Sequence, residues 1–102
     1  MNAREEFLSE ITHKKVKCAV VDNGYIFEDK EVKYLKIGYT KDEFYDFLNS
    51  LNFDYDDSYG EQYLSGTIWY EDGTWSERAE YDGSEWWKYK KCPEINEKLK
   101  EV

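Results

Sequence analysis

Two Asp-Gly dipeptides, Asp72-Gly73 and Asp82-Gly83, stand ten positions apart and divide the second half of the chain into three runs of strand length. Asp-Gly suits a two-residue hairpin loop, because a type I′ turn needs positive φ at both loop positions and its twist matches that of the flanking strands. The runs are residues 63–71, 74–81 and 84–91, rich in Trp, Tyr, Thr and Ile. These residue types fit a pleated, half-buried surface. A three-stranded antiparallel meander follows. Cys92-Pro93 ends its last strand, since proline donates no amide to a ladder.

With both loops taken as two residues, counting fixes the register. Tyr70 faces Trp75, Ile68 faces Glu77, Ala79 faces Trp86 and Arg78 faces Trp87. One face then carries Leu64, Ile68, Tyr70, Trp75, Tyr81 and Trp86 and is expected to pack on a helix. The other carries Trp69, Arg78, Glu85, Trp87 and Tyr89 and is expected to be at least partly exposed, with Arg78 stacked on Trp87.

Upstream, residues 5–12 read as a short helix with Phe7, Leu8 and Ile11 on one side. Residues 14–22 alternate as a strand, and Asn23-Gly24 signals a tight turn into a second strand at Tyr25-Ile26-Phe27. Residues 32–39 read as a third. Thr40-Lys41-Asp42-Glu43 fits a capping box, in which the Thr hydroxyl and Glu carboxylate satisfy orphan amides reciprocally. Phe44, Phe47, Leu48 and Leu51 follow at i, i+3, i+4 and i+7, one apolar helix stripe. A last helical turn is expected within residues 94–102. The class is α+β: antiparallel β-meanders with one amphipathic helix packed on the sheet, in the order α-βββ-α-βββ-(α). At 102 residues the chain is one domain, residues 1–102.

The formal net charge is −9, unevenly distributed. Residues 42–85 hold thirteen acids and a single base, Arg78, for a net of −12. Such a block repels phosphate backbones and favours a basic partner surface over direct nucleic-acid binding. Its sharpest part is Asp54, Asp56, Asp57 and Glu61 in a loop-forming stretch, placed to mimic phosphates. With Trp69, Arg78, Trp87 and Tyr89 as contact residues, these are the expected partner-binding positions. The spacing of Asp54, Asp56 and Ser58 lacks the glycine and closing glutamate of a calcium loop. His13, the one histidine, leaves no multi-histidine metal site. No catalytic set and no cofactor motif stands out, so an enzyme is not expected. Glu77 and Glu80, the nearest thing to a carboxylate pair, point to opposite faces. Cys18 sits in an apolar strand pattern and reads as core. A bridge to Cys92 is the less favoured reading. A polar start and the lack of a bilayer-length apolar run point to the cytoplasm.

The stretch from Gly66 to Arg78, GTIWYEDGTWSER, and its continuation Glu80-Tyr81-Asp82-Gly83-Ser84-Glu85-Trp86-Trp87 resemble a segment of small bacteriophage and prophage proteins. The likeness covers about a quarter of the chain and transfers no activity and no site residue. It implies a context in which small proteins act by binding a host component. By size, charge and α+β order the chain also resembles some anti-CRISPR inhibitors. The expected function is therefore non-enzymatic: binding and inhibiting or modulating a basic host protein such as a nuclease or CRISPR effector. Two rivals remain, a module whose aromatic face stacks on a nucleotide or sugar, and a phage protein that forms a homodimer through that face.

Overall fold

The computed structural model describes residues 1–24, 30–55 and 62–100. Their order is α1 (Ala3–Glu10), β1 (Val16–Asn23), β2 (Glu31–Leu35), α2 (Lys41–Ser50), β3 (Leu64–Tyr70), β4 (Trp75–Tyr81), β5 (Ser84–Lys90) and α3 (Glu97–Lys100). The fold is α+β. Both runs of strands join through β1 and β3 into one antiparallel sheet of five strands, ordered β2-β1-β3-β4-β5.

The helices begin where polar side chains satisfy their first amides. The Asn2 side chain accepts from the Glu5 amide, which starts α1 two residues before the apolar spacing suggests. Thr40 and Glu43 form the full capping box of α2. The α2 stripe then buries Phe47 and Leu48, with Leu51 buried just past its end and Phe44 half-buried on Tyr39. α1 and α2 lie on one side of the sheet. Phe7 of α1 meets Phe47 and Trp87 edge-on, and Ala19, Val21, Leu35, Leu64 and Ile68 complete the core beneath.

Several sequence expectations change. The third strand stops at Leu35, and Tyr39 donates to the Lys36 carbonyl in a turn. Asn23 pairs with Glu31, so residues 24–30 connect β1 to β2. The strand expected at Tyr25-Ile26-Phe27 lies outside the described residues. Cys18 is not core. A bulge between Val16 and Cys18 lets Val16 turn inward and leaves Cys18 half-exposed on the opposite face. Cys18 and Cys92 are both free thiols.

The largest change comes from one loop. Asp82-Gly83 is the two-residue turn expected, with φ of 52° and 86°. Asp72-Gly73 is not. Only Gly73 has positive φ there, its amide donates to the Tyr70 carbonyl, and Tyr70 pairs backbone-to-backbone with Thr74. The loop is three residues long, and Trp69 rather than Tyr70 faces Trp75. A slip of one residue reverses every side chain of β4 and β5 relative to β3. Arg78, Glu85 and Trp87 therefore go into the core, and Trp75, Tyr81 and Trp86 come out.

At Gly66 β3 leaves no room for a side chain against β1. A Cβ at this position would lie 2.3 Å from the Val20 carbonyl oxygen, and φ is +151°. Gly66→Ala is expected to destabilise by about 1–3 kcal/mol. Thermal unfolding followed by tryptophan fluorescence checks this, and an unchanged Tm would show that β1 accommodates the methyl group.

Candidate functional site

The reversed register builds a buried polar cluster where an exposed platform was expected. The Arg78 guanidinium donates to Glu85 Oε1 at 2.6 Å, to Glu6 Oε2 at 3.2 Å and to the Tyr55 hydroxyl oxygen at 2.9 Å. It also lies 5.2 Å from the Trp87 ring centre. Tyr55 donates its own proton to Glu6. Glu85 completes the arrangement by accepting from the Tyr63 and Leu64 amides at 2.7 and 2.9 Å. Its carboxylate serves the start of β3, beyond the three residues that pair with β4.

The electrostatics follow from burial. Burial works against the Arg78 charge, but Tyr55, Glu85 and Glu6 outweigh it and hold its pKa above the ordinary value. Burial and the hydrogen bond to Glu6 raise the Tyr55 phenol. A second chain runs from Tyr70 through Ser76 to Glu10 of α1, at 2.7 and 2.6 Å. Burial pushes Tyr70 up to about 12. These groups are tied to each other and anchor α1 to β4 and β5.

Of the predicted contact residues that are described, Arg78 and Trp87 stack as expected, but not at the surface with the others. Arg78 and Trp87 are buried, with Trp87 only 8% exposed under Phe7. Tyr89 is exposed at the rim on the helix side, with Lys14 4.8 Å from its ring centre. Trp69 is 43% exposed but lies on the opposite face. Asp54 is exposed and bridged to Asn2. Asp56, Asp57 and Glu61 lie outside the described residues.

Comparison with protein-family models, with characterised proteins and with solved structures finds no match to this chain.

Two surfaces remain as candidates on their own physical terms. The first is the sheet face away from the helices, which no described element covers. It displays Val32, Tyr34, Trp69, Tyr81 and Trp86, with Trp75 half-buried among them. It carries Asp22, Glu77, Lys88 and Lys90, the last paired with Glu77, and Lys17 beside Cys18 and Trp69. Sequence counting missed Trp75 and Trp86 here because the three-residue loop alone decides their side.

The second is acidic. Within residues 42–85, Asp42, Glu43, Asp46 and Asp54 are exposed, as are Glu71, Asp72, Glu80 and Asp82 in and beside the two hairpin turns. The one base of that stretch, Arg78, is withdrawn into the core. A further acidic feature is a groove of about 380 Å³ between α1 and β5, lined by Glu5, Glu6, Ser9, Glu10, Trp86 and Trp87. Among the described residues no three metal-ligating side chains cluster, and no helix is long and apolar enough to cross a membrane.

Proposed function

We propose that the chain is a non-enzymatic, phage-type protein that binds a basic, nucleic-acid-handling host protein and inhibits or modulates it. The observation that carries this reading is the burial of Arg78. With the single base of residues 42–85 inside, that stretch offers solvent acids and no compensating cation among its described residues. Such a surface steers toward a positively charged groove and presents carboxylates where phosphates would lie. The described carboxylates stand on α2, its flank and the tight turns, elements that hold them at fixed spacing.

Affinity capture from a bacterial lysate tests the proposal. Nucleic-acid enzymes are expected on the wild-type bait at about 50 mM salt and should be released by about 500 mM, where exposed charges are screened within roughly 4–5 Å. D42K/D46K bait should retain much less of them. Recovery of no nucleic-acid enzyme at low salt would overturn the reading.

A second reading rests on the uncovered face. Trp69, Trp75 and Trp86 on one sheet face suit stacking on a nucleotide or sugar, or on a second copy of the chain. Tryptophan quenching by nucleotides or oligosaccharides, or a sedimenting dimer, would favour it.

A further inference from the structure

We propose that the groove between α1 and β5 takes an extended, Lys/Arg-rich peptide segment that adds to the sheet as a sixth strand beside β5. The inference rests on the basic-partner reading above and names the part of that partner which docks. β5 is an edge of the sheet, with β4 as its one neighbour among the described residues. The hairpin closes on Tyr81 and Ser84 through a two-residue loop. In such a hairpin the N–H and C=O groups of Ser84, Trp86 and Lys88 point at the partner strand, and those of Glu85, Trp87 and Tyr89 point away. The outward row is the template an added strand needs.

The groove beside that row has the chemistry to select the segment. Three carboxylates, of Glu5, Glu6 and Glu10, line it from α1, and the Trp87 side chain and the Trp86 backbone line it from β5, the Trp86 indole projecting from the opposite face. Glu6 and Glu10 are held in place by Arg78 and Ser76, so their positions are set before anything binds. Glu5 is exposed in the first turn of α1, and its side chain has no hydrogen bond or ion pair among the described residues. A guanidinium or ammonium lying along α1 gains a carboxylate partner there. The lysines that guard this edge, Lys88 and Lys90, project from the opposite face and do not enter the groove. Trp87 Nε1 is buried without a hydrogen-bond partner among the described residues.

Fluorescence anisotropy with the full chain and three labelled probes tests this. The probes are a capped Arg-Val repeat hexapeptide, its Glu-Val counterpart, and the Arg-Val peptide N-methylated at alternate amides. The basic peptide is expected to bind at least tenfold tighter than the acidic one, and N-methylation to remove that advantage. Glu5→Lys should weaken the basic peptide several-fold, and the Glu85, Trp87 and Tyr89 amides should exchange more slowly when it is bound. If the basic peptide binds but neither N-methylation nor Glu5→Lys matters, while D42K/D46K abolishes it, strand addition is wrong and the acidic reading survives. If the basic peptide does not bind at all, both fall.

Discussion

Arg78→Met is expected to destabilise the protein by about 3–5 kcal/mol, because it leaves the Glu85 carboxylate charged and enclosed with no counter-charge. The side chains of both partners are almost wholly buried, 1% and 0% exposed. Glu85 keeps the Tyr63 and Leu64 amides, yet two neutral donors do not replace a guanidinium at 2.6 Å. For a domain whose whole stability is about 5–15 kcal/mol, much of the population would unfold at physiological temperature. Urea denaturation with the E85Q and R78M/E85Q variants makes the argument quantitative. The double variant should be more stable than the sum of the two single losses implies, by more than about 1 kcal/mol. Additivity within about 0.5 kcal/mol would show that the two charges do not depend on each other.

Phe7→Ala is expected to cost a similar amount, about 3–5 kcal/mol, for a different reason. Phe7 is fully buried, its ring centre 5.3 Å from that of Phe47 and 6.2 Å from that of Trp87. Ala3 is the one other buried residue of α1, so most of that helix's apolar attachment is a single ring. The loss should be local before it is global. Amides of α1 should exchange faster in Phe7→Ala while those of β1 and β3 stay protected, and Trp87 emission should move to longer wavelength. A uniform rise in exchange across α1, β1 and β3 would mean that α1 and the sheet unfold as one unit.

Much of this was legible in the residues and some was not, and the boundary is instructive. The α2 cap and stripe are local: Thr40 and Glu43 need only each other, and the apolar spacing needs only a helix. The meander was equally plain. Its facing was not, because two Asp-Gly pairs form different loops. At Asp72 the carboxylate accepts from the Thr74 amide and hydroxyl, which holds the chain in a turn before Gly73 alone takes positive φ. At Asp82 the aspartate itself takes positive φ, and Glu80 accepts from the Gly83 amide. The residue after each glycine, Thr74 in one case and Ser84 in the other, is a faint signal for a difference that relocates three tryptophans. The Arg78 cluster was illegible for a further reason. Its partners Glu6, Tyr55 and Glu85 come from three separate segments that only the tertiary fold brings together.

The position of β1 between β2 and β3 has a consequence in time. Its partner β3 is completed about 47 residues after β1 ends, a delay of roughly 2–10 s at ordinary synthesis rates. Through that interval β1 can zip against β2, but its other edge, with Ala19 and Val21 beside it, stays open. The meander, by contrast, is made of neighbours and can close as it emerges. The slow step of folding is then expected to be the docking of β3 onto β1. A nascent chain stalled between them would be the form most prone to aggregate.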